Sequence, residues 1–231
     1  MLENLKSQFI LNFVEDNRWS YLLNGLGVTL KITFFAALLG LLIGFIIAMI
    51  RGAYQGTGKY KIPNAICNLY LTVIRGTPVV VQLMIIYFVI FGSVRIDKSL
   101  VAILAFGINS GAYQAEIFRS GIQAIPKGQY EAGRSLGFSY KETMLTVIMP
   151  QAIRNVIPTL LNEFIALLKE TSVAGYIALE DLTKGGDIIR SRTYSAFMPL
   201  IAVAVIYLLM VLLMEQLVKF IERRLNKNGR K

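Results

Sequence analysis

The sequence predicts an all-α integral membrane protein with about five transmembrane helices, and two observations lead there. The 231 residues are 55% hydrophobic, with a mean hydropathy of +0.57, whereas a soluble domain of this size needs a far more polar surface. Several stretches also run for about twenty residues with almost no charge, which is the length that crosses a hydrocarbon core of ~30 Å. The bilayer is therefore the expected solvent.

The apolar stretches predict a single transmembrane domain over residues 1–231. Pro78 lies within the second stretch. Because Pro78 lacks a backbone donor and disfavours helix at Thr77, we expect a kink or short break there. Residues 5–17 are apolar at spaced positions, which is typical of a short helix at the membrane interface. The predicted spans are residues 22–50, 64–92, 99–118, 150–169 and 197–218.

Lys and Arg residues predict the orientation of the chain, because they concentrate on the cytoplasmic side of membrane proteins. Fourteen of the 24 basic residues fall within 51–61, 119–154 and the tail from Lys219, all on one side of a five-span chain. The opposite side holds most of the acidic residues. We therefore expect the amino terminus outside and the carboxyl terminus in the cytoplasm. The net charge of +10 is then a topology signal, and no nucleic-acid partner is expected.

Several kinds of chemistry are disfavoured by composition. The chain has no histidine and a single cysteine, Cys67, which removes Ser-His and Cys-His catalysis and the usual metal ligand within membranes. We expect no catalytic residue and no metal site. Residues 56–59 read Gly-Thr-Gly-Lys, which is similar to the end of a phosphate-binding loop. Tyr60 follows the lysine, however, and Ala53 stands where such a loop needs its first glycine, so the match fails.

A cytoplasmic loop at about residues 119–149 carries the signals of a short, stiff helix. Pro126 suits the first turn of a helix, where its missing donor is harmless, and Gly137 suits the left-handed position that ends one. Ser139 and Glu142 then form a capping-box pattern ahead of an apolar run. A loop that only joined two spans would need fewer residues and less stiffness.

This loop resembles the cytoplasmic "EAA" loop of ABC importer permeases. Glu131-Ala132-Gly133, Gly137 and Val147-Ile148-Met149-Pro150 keep its spacing, with replacements at Gly133, Val147 and Met149. Further segments resemble the polar amino acid permeases, and the resemblance covers nearly the whole chain. These segments are Arg75-Gly76-Thr77-Pro78 with Gln82, the run 109–116 and the run 167–172.

The resemblance implies a type I ABC importer permease in the plasma membrane of a bacterium. Its loop helix would seat on a separate ATP-hydrolysing subunit, so ATP would bind that partner and this chain would hold no cofactor. The implied partners are two ATP-binding cassette subunits, a second permease subunit, identical or paralogous, and an extracytoplasmic amino acid binding protein. The residues implied in coupling are Pro126, Glu131, Ala132, Gly133, Arg134 and Gly137.

Polar side chains recur at helical spacing inside three of the spans, and such residues usually face a cavity or a partner. Glu163 lies near the middle of its span. Our hypothesis is that it faces a translocation cavity and pairs with the ammonium or side-chain cation of a substrate. Glu116 and Lys169 lie nearer the span ends. The predicted pathway residues are Gln82, Asn109, Tyr113, Thr159, Asn162 and Glu163. For each, the alternative is a hydrogen bond between helices.

The sequence leaves open the choice of substrate and two alternatives to an importer subunit. An acidic group in the pathway disfavours acidic amino acids and leans towards basic ones, although glutamine also carries an α-ammonium group. A self-sufficient secondary transporter or channel is the main alternative to an importer subunit, but five spans without a visible repeat fit it poorly. An intramembrane enzyme is disfavoured because the sequence has no histidine and no carboxylate dyad.

Overall fold

The computed structural model describes residues 2–227, and every regular element in that range is helical. The helices are α1 (Leu2–Phe9), α2 (Trp19–Thr57), α3 (Lys61–Arg75), α4 (Val79–Met84), α5 (Lys98–Gln123), α6 (Lys127–Ser135), α7 (Tyr140–Glu142), α8 (Met149–Glu170), α9 (Leu182–Thr193) and α10 (Phe197–Lys227). Wider, π-type turns extend α1 and α4 and join α7 to α8, over Ile10–Val14, Ile85–Ile90 and Thr143–Ile148.

The described residues contain four helices that are long and apolar enough to cross a membrane, and a bent pair that can serve as a fifth. The four are α2, α5, the helical run Tyr140–Ile177 and α10, and the bent pair is α3 with the extended α4. The predicted all-helical fold with about five spans is therefore confirmed. At 39 residues, α2 is roughly 58 Å long and reaches beyond a core of ~30 Å.

The second span is broken at the predicted place. Between α3 and α4 the helix axis turns by 106°, and Pro78 takes an extended ψ of 136° there. The Gln82 amide replaces helical hydrogen bonds lost at the break. It donates to the carbonyl of Ile74 at 2.8 Å and to the carbonyl and hydroxyl of Thr77 at 3.0 and 2.8 Å. The break is thus a defined corner with its own hydrogen bonds.

Small residues let α2 and α5 lie in close contact, as the spacing of Gly40 and Gly44 indicates. A Cβ atom at Gly44 would lie 2.8 Å from the backbone nitrogen of Ala115, so only a glycine fits without displacing α5. Phe106 of α5 is fully buried in the core that these two helices share. In the hydrocarbon layer such close backbone approach supplies much of the packing energy.

The segment before α10 folds as the short helix α9, which packs between α2 and α10. Asp181 caps α9, accepting hydrogen bonds from the backbone N–H groups of Thr183 and Lys184 at 3.2 and 3.0 Å. The side chain is fully buried, and this burial raises the pKa of the Asp181 carboxyl group. Gly185 faces the Tyr21 carbonyl so closely that an added Cβ atom would clash with it. α9 is therefore held by a cap and by close backbone contact.

Candidate functional site

The short helix α6 ends as the sequence predicts and begins one residue later. Pro126 precedes the first turn of α6, with an extended ψ of 137°, and its carbonyl accepts the Gln129 N–H at 3.0 Å. At the other end Gly137 has φ +84°. The N–H groups of Phe138 and Gly137 donate to the carbonyls of Gly133 and Arg134 at 3.2 and 3.0 Å, which is the Schellman pattern.

One side of α6 rests on the segment that follows it. Gly133 is buried, and a Cβ atom there would lie 2.6 Å from the Thr143 methyl group. The Tyr130 ring packs on Tyr140, with centroids 5.9 Å apart, and its hydroxyl donates to the Met144 sulfur. Burial, followed by the hydrogen bond with Tyr140, raises the pKa of Tyr130, so the hydroxyl stays protonated as a donor.

The other side of α6 is exposed. Glu131, Ala132 and Arg134 lie on it, and Arg134 donates to the Phe138 carbonyl at 2.7 Å. Leu136, which the sequence reasoning did not single out, is 75% exposed at the end of the helix.

The segment beneath α6 continues into α8 without a break. The Ser139–Glu142 capping box is formed, with the Ser139 N–H donating to Glu142 at 2.7 Å, and helical structure runs from Tyr140 to Glu170. Pro150 does not interrupt this run because it lies in the first turn of α8, after a π-type turn. α6 is therefore packed against the base of the helix that carries Thr159, Asn162 and Glu163.

Those three residues line a recess of about 430 Å³ between α3, α5 and α8. The recess is open on one side, and its lining mixes carboxylates, a guanidinium, amide and hydroxyl groups with one aliphatic residue. The lining residues are Arg75, Tyr113, Glu116, Ile117, Ser120, Thr159, Asn162 and Glu163. The structure thus brings together four of the six predicted pathway residues.

Glu163 is half-buried in this recess. Its carboxylate accepts a hydrogen bond from the Ser110 hydroxyl at 3.1 Å, and Ser110 in turn accepts one from Gln114 at 2.9 Å. Among residues 2–227, no basic side chain forms an ion pair with Glu163. The sequence reasoning missed Ser110, since a lone serine in a span has no distinctive pattern.

Two of the lining residues, Arg75 and Glu116, belong to a cluster of four charges. Glu116 lies 3.3 Å from Arg51 and 3.8 Å from Arg75, and it also pairs with Arg119. Three guanidinium groups from three helices share one carboxylate, so the cluster is net positive. Arg75 is the loosest member. Its side chain is 43% exposed, and its guanidinium lies 5.8 Å from the Tyr113 ring centre.

Gln82 and Asn109 do not line the recess, although the sequence pattern places them with the pathway residues. Both are buried, and Asn109 donates to the Gln82 side chain at 3.0 Å. The physical reason is the corner at residues 76–78. It moves Gln82 off the helix face that carries Thr72 and Arg75 and points its amide at the break. Lys169 is exposed on α8, also outside the recess.

Residues 40–227 match the family described as binding-protein-dependent transport system inner membrane components. The chain belongs to this family. Its members are permease subunits of ABC transporters and not enzymes, and separate subunits hydrolyse the ATP. Among residues 2–227, no group of three His, Cys, Asp or Glu side chains is placed to hold a metal ion.

Several characterised permeases are similar over most of their length. The arginine transport system permease protein ArtQ of Bacillus subtilis is 37% identical over 90% of this chain and 94% of its own. The L-cystine permease protein TcyB of the same species is 34% identical over 94% and 91%. The glutamine permease protein GlnP of Escherichia coli is 39% identical over 84% and 90%.

Solved structures of permeases share the fold. A crystal structure of an amino acid ABC transporter with histidines matches with a TM-score of 0.84 and 42% identity, over 92% of this chain and 98% of that one. The methionine transporter MetNI in inward-facing conformations matches with a TM-score of 0.75 at 21% identity, over 91% and 99%. The predicted type I importer permease fold is thereby confirmed.

Proposed function

We propose that this permease imports polar amino acids through the recess, with a preference for basic ones. The observation that carries the proposal is the presence of opposite charges in one recess. Glu163 has no basic partner among the described residues, and it lines the recess together with Arg75, the exposed member of a net positive cluster. An amino acid carries an ammonium and a carboxylate, which suit these two groups. The named relatives that serve arginine, glutamine and cystine fit a polar substrate.

Glu163→Gln tests the assignment of substrate. It keeps the shape of the side chain and removes its charge, so a charge-assisted contact worth about 1.5–3 kcal/mol is lost. We expect KM for arginine and lysine uptake to rise roughly tenfold or more, because 1.4 kcal/mol is a factor of ten. We expect a smaller change for glutamine, whose only cation is its α-ammonium group.

Glu215→Gln is the matched control for this measurement. Glu215 is exposed on α10 and lies outside the recess, so uptake by this variant should keep the original order of substrates. If Glu163→Gln leaves both the rate and the order of substrates unchanged in proteoliposomes, Glu163 does not select the substrate.

We propose further that α6 couples the chain to an ATP-binding cassette subunit, one of two in the complex, which bind the ATP. Pro126 and Gly137 delimit a rigid helix, and Gly133 seats it against Thr143 at the base of the α8 run. A rigid element packed on a continuous helix carries a displacement, whereas a loose loop absorbs it. Glu131, Ala132, Arg134 and Leu136 form the exposed side that meets the motor.

Glu131→Pro tests the coupling. A proline there removes a hydrogen bond inside α6 and clashes with the preceding turn, at a cost of about 3 kcal/mol or more. We expect the assembled complex to lose substrate-stimulated ATPase activity. Lys127→Pro is the control, since Lys127 is the first residue of α6, where a proline is tolerated. Equal substrate-stimulated ATPase activity in the Glu131→Pro and Lys127→Pro variants would contradict the role of α6.

The remaining partners and the orientation belong to the same proposal. The recess is open on one side, which supports a second permease subunit across a central axis. An extracytoplasmic binding protein would deliver the substrate to the outer side. The asymmetry of Lys and Arg along the chain supports a bacterial inner membrane location with the amino terminus outside and α6 in the cytoplasm.

A further inference from the structure

A second recess lies between α2, α3 and α5, beside the first. Its charged and polar side chains are those of Arg51, Asn68, Thr72, Arg75 and Glu116, and Arg75 and Glu116 also line the first recess. The two recesses have similar volumes, about 460 and 430 Å³. The second recess therefore has room for a molecule that fits the first, and the two meet at one arginine and one glutamate.

The second recess extends from Arg75 towards the end of the molecule that carries α6. Arg75 is the last residue of α3, and Asn68 lies about two turns nearer its start. Arg51 lies about two turns before the end of α2. That end of α2 contacts the segment beneath α6, since a Cβ atom at Gly56 would lie 3.0 Å from the Tyr140 hydroxyl. In the orientation proposed above, this is the cytoplasmic side.

The second recess has an excess of positive charge. Arg51, Arg75 and Arg119 all pair with Glu116, and no other carboxylate among residues 2–227 forms an ion pair with these arginines. Because a guanidinium group stays protonated in proteins, the loss of a proton cannot remove this excess. Positive charge inside a span is costly unless a partner of opposite charge approaches it. The recess therefore attracts an anion.

A carboxylate on a small polar molecule matches the groups of the second recess. Guanidinium groups bind carboxylates through paired hydrogen bonds. Nitrogens of Arg51 and Arg75 lie 3.3 and 3.8 Å from the same oxygen of Glu116, so a second carboxylate can pass from one arginine to the other close to positive charge. The Asn68 amide and the Thr72 hydroxyl can form hydrogen bonds with the rest of the molecule. The amino acid proposed for the first recess has this chemistry.

We infer that the second recess is a release site for the imported amino acid, in which Arg51 binds the carboxylate that Arg75 holds in the first recess. Glu163 does not line the second recess, and Glu116 is already shared by three arginines. The ammonium group of the substrate thus finds no free carboxylate among the lining residues, which weakens binding and favours release on the α6 side. This inference rests on the proposed function and adds Arg51, a residue of α2, to the pathway.

Protection of single cysteines by substrate tests the release site. Cys67→Ala removes the native thiol, and Asn68→Cys or Ser120→Cys then places one thiol in the second or the first recess, at exposed positions. Modification of this chain by a small methanethiosulfonate is followed by mass spectrometry in the purified complex without nucleotide. Arginine at about ten times its Kd should slow modification roughly tenfold at both positions, since the free fraction falls as 1/(1 + [L]/Kd). Arginine methyl ester, which lacks the carboxylate, should not protect position 68.

Arg51→Gln separates the binding role of Arg51 from a structural one. In this background arginine should no longer protect Asn68→Cys, whereas it should still protect Ser120→Cys because the first recess is intact. Arg51→Lys keeps the positive charge and should restore part of the protection at position 68.

Three results would overturn the inference. Protection of Ser120→Cys without protection of Asn68→Cys would refute the release site and leave the proposed transport function standing. Full protection of Asn68→Cys in the Arg51→Gln background would show that Arg51 does not bind the carboxylate. Loss of protection at both positions in that background would assign Arg51 to the structure of the first recess. If arginine protects neither position with Arg51 present, the proposed function fails as well.

Discussion

The contact between Gly133 and Thr143 links α6 closely to the helical run that contains α8. The Thr143 methyl group occupies the space that a side chain at position 133 would take. Among the described residues, the buried Thr143 hydroxyl has no hydrogen-bond partner, so the threonine contributes shape and no hydrogen bond. Gly133 also departs from the Ala of the EAA pattern. Thr143 gives that departure a physical reason.

We predict that Gly133→Ala weakens coupling and that a second change restores it. An added Cβ atom overlaps Thr143, and overpacking of this kind costs about 1–3 kcal/mol. Substrate-stimulated ATPase activity should therefore fall. Thr143→Ala removes the overlapping methyl group without breaking a hydrogen bond, so the double variant should recover. A double variant no better than Gly133→Ala would mean that this contact does not seat α6.

Some residues of the recess could be predicted from the sequence, and others could not. Glu163 could be named because a carboxylate in the middle of an apolar span is rare and costly. Ser110 and Arg51 could not be linked to Glu163 and Glu116, because those contacts join residues 53 and 65 positions apart in the chain. No periodicity within one helix encodes them.

The corner between α3 and α4 is the feature that most affects the site at the level of elements. Pro78 predicts the break, but it does not predict the 106° turn or the Gln82 amide that stabilises it. Gln82 was assigned to the pathway because it continues a helical spacing from Thr72 and Arg75. That spacing has meaning only if the helix is continuous, and the corner ends it.

We predict that Gln82→Leu destabilises the permease. The change leaves the Ile74 and Thr77 carbonyls and the Asn109 amide without their present partner, which costs about 1–3 kcal/mol. The apparent melting temperature of the purified complex should fall, and uptake should fall with it because the corner positions Arg75. Gln55→Leu, at an exposed position near the end of α2, is the control. Identical melting temperatures for the two variants would contradict the structural role of Gln82.

The segment between α6 and α8 shows a second feature that patterns of neighbouring residues do not predict. The capping box at Ser139 and the left-handed Gly137 were predictable, since both depend on neighbouring residues. The continuity of the helix past Pro150 was not, because it depends on a π-type turn ahead of the proline, in a segment that packs against α6. That continuity ties the exposed side of α6 to the recess.

For the whole molecule, the orientation in the membrane decides which side α6 faces and which side the turn between α4 and α5 faces. The proposal requires α6 in the cytoplasm and the turn between α4 and α5 outside, on opposite ends of the same helices. The distribution of Lys and Arg supports this arrangement.

We predict that cysteine labelling will report these two sides. In the Cys67→Ala background, Ser93→Cys in the outer turn and Ser135→Cys at the end of α6 are both exposed positions with nearly isosteric changes. A membrane-impermeant maleimide added to intact spheroplasts should label position 93 at once and position 135 only after permeabilisation. The reverse pattern would overturn the orientation.

The sequence by itself determined the helical membrane fold, the break at Pro78 and the limits of α6, because apolar length, proline chemistry and helix caps act over a few neighbouring residues. Only the tertiary structure decided which polar side chains share the recess, since Arg75, Tyr113 and Glu163 come from three separate helices. It also decided that Gln82 stabilises a corner. These outcomes depend on the angles at which helices cross and turn, which local residue patterns do not encode.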